Sequence, residues 1–361
     1  MKPVVVDLFC GCGGLSLGAR NAGFKIGLSV DIDAVLTSSY KENHPGAHLR
    51  LMDVAALTGS DVRTVVGGRV DGIIGGPPCQ GFSEIGVESP DDPRRLLLRH
   101  FFRLVAEVRP KFFLMENVRG LAFEKNRPEL ETALQLVAGR YTILGPLKLD
   151  AAAFGAATSR PRVFVIGFDS SCVDSFTAGD LEQWRRPAAT VREAIADLQG
   201  ATEEGVDSDG LDWWRYGSDI SPSLYARRLR GTRRLFSGHR RIPHAPAIAE
   251  RFAAVPQGGR DAVGRHARLD WNKQCPTIRA GTGPDRGSFQ AVRPLHPVEP
   301  RVITVREAAR LQGFPDRFVF HPTAWHSFRM IGNSVSPIVA ERILKAIRSK
   351  MFDVPSLAAA E

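Results

Sequence analysis

The sequence predicts a doubly wound α/β sheet with a smaller domain inserted into it, and three observations carry that prediction. Short apolar runs, Val4 to Phe9, Ile26 to Val30, Val70 to Ile74 and Lys111 to Met115, read as buried strands and are followed by helical spacing, as in Leu96 to Val108. A glycine-rich turn, Gly11, Gly13 and Gly14, follows the first strand and opens a helix over Leu15 to Ala22. Chemistry-bearing residues stand just past the strand ends, where an open α/β sheet binds its ligands.

Length and composition agree with this. A chain of 361 residues, 43% hydrophobic, suits one large domain plus a smaller one. The five cysteines, at 10, 12, 79, 172 and 275, are odd in number and contain no Cys-x-x-Cys pair, so reduced thiols are expected, without a disulfide framework or a metal site. Forty-eight Lys and Arg against 39 Asp and Glu give a net charge of +9, which favours a polyanionic partner, nucleic acid first. No run has the apolar length of a membrane span, and Val4 begins a strand directly, so a cytoplasmic protein is expected.

In chain order, the turn from Phe9 to Gly13 reads Phe-x-Gly-x-Gly. It is not the six-residue dinucleotide fingerprint, but its small residues let a ligand lie near the helix N-terminus. The next strand ends in Asp31-Ile32-Asp33. An acidic residue about 20 positions past such glycines accepts hydrogen bonds from ribose hydroxyls. Asp53 is a further candidate, with a helix cap or loop carboxylate as the equal alternative.

Val70 to Ile74 leads into Gly75-Gly76-Pro77-Pro78-Cys79-Gln80-Gly81-Phe82-Ser83. Two prolines fix two φ angles and remove two donors, so the chain leaves the strand in one extended direction. That frame marks Cys79 as a nucleophile rather than a buried structural thiol. Arg94 and Arg95 then start the Leu96 to Val108 helix and can grip phosphates. Glu116 follows the Lys111 to Met115 strand and faces the same crevice, where partial desolvation lets a carboxyl hold or donate a proton. Strands around Tyr141 to Leu149 and Val163 to Phe168 bracket Thr158-Ser159-Arg160-Pro161-Arg162. Alternate residues of an extended segment share a side, so Arg160 and Arg162 can point into one site.

These residues, in this order from Val4 to about Ile347, resemble the DNA (cytosine-5)-methyltransferases of bacterial restriction-modification systems. The resemblance implies a methyltransferase fold that takes S-adenosylmethionine and leaves S-adenosylhomocysteine. Phe9, Gly11, Gly13 and Gly14 would wrap this cofactor, Asp31 would hold its ribose, and Ile32, Asp53 and Val54 would meet its adenine, with Pro77, Asn333 and Ser334 completing the site. Cys79 would attack the base, Glu116 would contact cytosine N3 and the amino edge, and Arg162 would contact O2 with Arg160 in support. Arg301 to Pro315 resembles the family's penultimate motif, and Gly332 to Pro337 the last one, whose helix returns to the cofactor site. Two positions depart from the pattern: Thr158 stands where many members carry Gln, and Ile32 where an aromatic residue often meets adenine. The implied setting is a bacterial, cytoplasmic, nucleoid-associated enzyme acting as a monomer on double-stranded DNA, beside a cognate restriction endonuclease. Because carbon 6 is inaccessible in a stacked duplex, the target nucleotide is expected to flip out, with the Gln80 to Arg95 loop closing over it.

The expected division is a catalytic domain over 1–180, completed by 325–361, and a target-recognition domain over 181–324. From Ile220 to Ala249 seven arginines stand before any acidic residue, at 227, 228, 230, 233, 234, 240 and 241, which argues for phosphate contact. Gln80, Ser83, Arg94, Arg95, Arg228, Arg240, Arg279 and Arg286 are the DNA-binding candidates, with Arg279 or Arg286 able to read guanine. Trp213-Trp214 is expected in a small core, and Glu203 to Gly210 in a surface loop. An RNA methyltransferase of the same fold would share the catalytic set. A non-enzymatic DNA-binding relative would not need it, and a small-molecule enzyme would leave the arginines unexplained.

Overall fold

The structure is a computed structural model and describes residues 1–78, 96–173, 175–281 and 292–352. Ten strands run β1 (Val4–Leu8), β2 (Lys25–Asp31), β3 (Leu49–Leu51), β4 (Gly72–Gly75), β5 (Phe112–Asn117), β6 (Tyr141–Asp150), β7 (Pro161–Asp169), β8 (Thr202–Val206), β9 (Asp212–Arg215) and β10 (Leu235–Ser237) among the described residues. The helices there are α1 (Gly14–Asn21), α2 (Tyr40–Asn43), α3 (Gly59–Val66), α4 (Leu96–Val108), α5 (Arg127–Leu134), α6 (Gly179–Glu182), α7 (Val191–Ile195), α8 (Leu224–Arg230), α9 (Pro246–Ala253), α10 (Val305–Gln312), α11 (Ala324–Asn333) and α12 (Pro337–Met351). None is long and apolar enough to cross a membrane.

Seven strands form one sheet in the order β3-β2-β1-β4-β5-β7-β6. The first five are parallel, and β7 runs antiparallel to both of its neighbours. Continuous burial along β1, β4 and β5 fits strands covered on both faces. One core joins the sheet to α1 and α12 through Leu15, Ala19, Ile343 and Ile347. Another joins the opposite face to α3 and α4 through Val62, Phe101, Phe102 and Val105. The doubly wound architecture is therefore present, with helices on both faces.

A three-stranded antiparallel sheet, β10-β9-β8, belongs to the inserted region. Trp214 lies in its core with Tyr216 and Phe236, as expected, and donates to Asp212 at 2.7 Å. The expected loop over Glu203 to Gly210 is different: Thr202–Val206 pairs with β9, and only the residues after it turn. Strand pairing outweighs the acidic, glycine-containing composition here. The core of this region takes in Cys12 and Leu17, so it is continuous with the layer around α1.

Helix α10 is buried along its whole length although it carries Arg306 and Arg310. Thr304 and Glu307 form a capping box at its start, and Arg301 pairs with Glu307 at 2.8 Å. Arg310 pairs with Asp316 at 2.5 Å and Asp197 at 3.0 Å, while Arg306 donates to the carbonyl oxygens of Ser237, Pro315 and Phe318. Burying two guanidiniums is costly unless every donor is met, and these partners meet that cost.

Candidate active site

In a doubly wound sheet the ligand crevice opens where strand order reverses, here between β1 and β4. The chain turns sharply after β1: Phe9, Gly11 and Gly13 have φ of 60°, 50° and 91°. Phe9 is the exceptional one, since a bulky residue in left-handed backbone is strained, and such strain clusters at ligand sites. Nothing lies within 4 Å of where a Cβ on Gly11 would stand, so the turn presents open room. The Gly11 amide donates to Asp31 Oδ2 at 2.8 Å, and the Asp33 amide to Asp31 Oδ1 at 2.8 Å. Burial raises the Asp31 pKa against these two donors, which favour its carboxylate. Beside it Ile32 is 70% exposed, an apolar side chain without a core to enter.

Asp53 does cap a short helical turn, Val54–Ala56, accepting from the Ala55 amide at 2.8 Å, so the equal alternative is realised. Its neighbour Val54 is buried in the core, which leaves main-chain atoms rather than its side chain for any ligand. Ser334 sits so close to Gly14 that a Cβ there would stand 2.0 Å from Ser334 Oγ, while Asn333 is exposed at the end of α11.

Glu116, at the carboxyl end of β5, pairs with Arg162 Nε at 3.1 Å. Burial pushes the Glu116 carboxyl up, and Arg162 and then Arg160 hold it down; the net direction is up. A Cβ on Gly76 would stand 3.3 Å from Glu116 Oε2, so this carboxyl adjoins the segment leaving β4. Asn117 Nδ2 donates to the Pro77 carbonyl at 3.1 Å and fixes that segment. Cys79, Gln80, Ser83, Arg94, Arg95 and Arg286 lie outside the described residues.

Arg160 and Arg162 hold different hydrogen-bond partners. Arg162 is a residue of β7, and Arg160 instead donates to the carbonyl oxygens of Ile278 at 3.0 Å and Gly332 at 2.6 Å. Both guanidiniums still act on the Glu116 carboxyl, although β7 itself begins only at Pro161. Thr158, where a Gln is common in the resembled family, donates to the Cys275 carbonyl at 3.1 Å, and Thr277 donates to the Ser159 carbonyl at 2.8 Å. The Cys275 to Ile278 segment is thereby laced to the edge of the crevice. Gly332 meets its continuation: a Cβ would lie 2.2 Å from the Ala280 amide nitrogen.

Of the basic candidates, Arg228 pairs with Glu341 of α12 at 2.6 Å, Arg240 with Glu203 at 3.7 Å, and Arg279 is exposed. Arg228 is therefore half engaged in a tie within the protein. Arg227, Arg233 and Arg234 are exposed and form no ion pair among the described residues.

Sequence reasoning missed a buried network beneath the turn. Ser16 donates to Asp7 at 2.6 Å, and Tyr40 lies 2.6 Å from both Ser16 and Ser29 hydroxyls. Asp7 is fully buried, its pKa raised to about 7 mainly by that burial. The one signal for it was a charged residue inside an apolar strand. His44, buried and stacked on Tyr40, has its pKa lowered to about 3, mainly by burial, and stays neutral.

Comparison with known proteins extends the geometry. The sequence profile of the C-5 cytosine-specific DNA methylases matches residues 4–349. Type II methyltransferase M.XorII of Xanthomonas oryzae pv. oryzae is 39% identical, over 97% of this chain and 86% of that protein. Type II methyltransferase M.DdeI of Desulfomicrobium norvegicum is 30% identical, over 95% and 88%. A prophage-encoded protein of E. coli, described as a DNA modification methyltransferase, superposes with a TM-score of 0.84 at 40% identity, covering 97% of this chain and 99% of its own. The S. pombe Dnmt2 methyltransferase shares the fold, with a TM-score of 0.63 at 17% identity over 97% and 99% of the two chains. The chain belongs to the C-5 cytosine-specific DNA methylase family and is an enzyme of DNA cytosine-5 methylation.

Proposed function

We propose that the chain transfers a methyl group from S-adenosylmethionine to carbon 5 of a cytosine flipped from a specific short duplex site, through a covalent bond between Cys79 and carbon 6. The pair of buried Glu116 with Arg162, adjoining the segment that leads in sequence to Cys79, is the observation that carries this reading.

The crevice residues fit the cofactor. The open room at Gly11, the doubly bonded Asp31 carboxylate and the exposed Ile32 suit a nucleoside with ribose hydroxyls and a flat base. Asp31 would hold the hydroxyls, Ile32 and Phe9 would lie against the apolar parts of the cofactor, and Asp53 with main-chain atoms of Val54 would meet the base. Gly13, Gly14, Pro77, Asn333 and Ser334 close the remaining sides. When bound, S-adenosylmethionine supplies a methyl group on a sulfonium, which an enamine-like carbon can take up.

Carbon 5 of cytosine is a poor nucleophile. Addition of the Cys79 thiolate to carbon 6 pushes an electron pair toward N3, where a proton on Glu116 meets it, and Arg162 stabilises charge at O2. A carboxyl raised by burial keeps that proton available. After carbon 5 is methylated it loses its proton to a base, Cys79 leaves as thiolate as the carbon 5–carbon 6 double bond reforms, and N3 returns its proton to Glu116, restoring the ring and the acid. Arg160 acts by position, tying β7 to the Ile278 segment and to α11.

Residues 181–324 are assigned to site recognition, and 1–180 with 325–361 to catalysis. A cognate restriction endonuclease acting on the same site belongs to the same reading. Bisulfite sequencing of unmethylated plasmid, incubated with the protein and S-adenosylmethionine, tests the proposal. Protected cytosines in one short context, absent with Cys79→Ala, are expected; protection that survives in Cys79→Ala would overturn the mechanism.

A further inference from the structure

On the rim of the sheet opposite the crevice, where β4 and β5 begin and α3 and α4 end, the surface folds into a cleft of about 310 Å³. Arg63, Arg69, Arg109, Lys111 and Arg140 line it, with one carboxylate, Asp169. Asp169 pairs with Arg140 at 2.6 Å, and Arg69 is matched by Asp71 at 3.0 Å. The other three cations form no ion pair among the described residues: Arg63 donates to the Glu107 carbonyl at 2.9 Å, and Lys111 lies 4.7 Å from the Phe352 ring centre. Glu107, which also acts on Arg63, is offset by its 2.7 Å pair with Arg103. The carboxyl ends of α3 and α4 contribute roughly one negative charge between them, so the five cations against Asp169 and the neighbouring Asp71 leave about +2.

Arg109 is the most telling of the five. It directly follows α4, its amide donates to the Val105 carbonyl at 2.9 Å, and its φ is 56°. That left-handed position after a helix is one that glycine ordinarily fills, because a side chain there is strained. A long cation held in a strained cap at the edge of a cationic cleft points to use of its guanidinium.

We propose that this cleft binds a compact phosphate group of pyrophosphate size, at a site separate from the catalytic crevice. Its volume lies at the small end of ligand sites. Guanidinium forks match phosphate oxygens in pairs. The phosphate has two sources, a free diphosphate or the backbone of a duplex, and the concave floor favours the first.

Calorimetric titration of pyrophosphate into the full chain, in phosphate-free buffer, tests this with Arg109→Gly and Arg63→Gln alongside. Arg109→Gly suits the purpose, since glycine relaxes the cap and the fold is retained. The expected result is a single site in the wild type that S-adenosylmethionine does not compete for, weakened about tenfold in each variant while methyl transfer proceeds at the wild-type rate. No pyrophosphate binding to the wild type, equal affinity in all three proteins, or competition by S-adenosylmethionine would overturn it. A non-cognate duplex separates the sources: unchanged duplex affinity in Arg109→Gly assigns the free diphosphate, and weakened duplex affinity beside weakened pyrophosphate binding assigns the DNA backbone.

Discussion

Two buried carboxyls with raised pKa values give opposite tests of the site. Glu116→Gln keeps the size of the side chain and removes the proton that N3 needs. Its kcat should fall by roughly 10²–10⁴ while duplex affinity, read by fluorescence anisotropy, stays near the wild type; an unchanged kcat would remove Glu116 from the mechanism. Asp7 concerns stability. Its folded pKa of about 7 lies above its ordinary 3.8, so the folded chain favours the neutral acid. That contribution is complete below 3.8 and is lost as pH rises through 7. Asp7→Asn should therefore gain on the wild type between pH 4 and 7, by at most roughly 4 kcal/mol, in urea midpoints measured across that range. Equal pH dependence in the two proteins would mean that Asp7 is already ionised when folded.

At the scale of elements, the crevice is built from the ends of strands and from what clasps them. The positions of Glu116 and Asp31 were legible, because each follows an apolar run that forms a strand and each emerges at its carboxyl end. The different work of Arg160 was not legible. Its partners, the carbonyls of Ile278 and Gly332, lie 118 and 172 positions away, and no local spacing encodes them. The strand over Thr202–Val206 was hidden for a similar reason, since its pairing with β9 supplies what its composition does not. Arg160→Met should leave both carbonyls unpaired in a buried setting, costing about 2–5 kcal/mol by thermal or urea unfolding. Asn117→Ala should release the Pro77 carbonyl and lower kcat more than it raises KM for DNA, because it loosens the segment that leads to Cys79.

Across the whole molecule, charge has two uses that sequence counting merges. Arg228 lies among the seven basic residues, yet its 2.6 Å pairing with Glu341 ties α8 to α12. A double-mutant cycle on Arg228→Gln and Glu341→Gln should give a coupling of about 0.2–1 kcal/mol, because Arg228 is half exposed. Arg233→Gln with Arg234→Gln, by contrast, should lower the salt dependence of duplex binding by nearly one unit of slope for each phosphate no longer neutralised. An unaltered slope would move the DNA path away from these arginines. The doubly wound class, the crevice at the strand ends and the family were within reach of the motifs, whereas the short edge strand Leu49–Leu51 and the order of the seven strands were not. Which arginines face outward was not, since that is decided by carboxylates distant in sequence.

Helix α12 packs along α1, with Ala340 against Gly18, while Ser334 just ahead of it lies against Gly14 in the first turn. During synthesis this means that the opening motif waits for α12. A ribosome that has translated every catalytic residue through Arg162 still carries a nascent chain whose cofactor turn lacks its covering wall. Methylation should therefore be absent from chains that stop before Pro337–Met351 and should appear once that helix docks on α1, a built-in delay before modification of the genome.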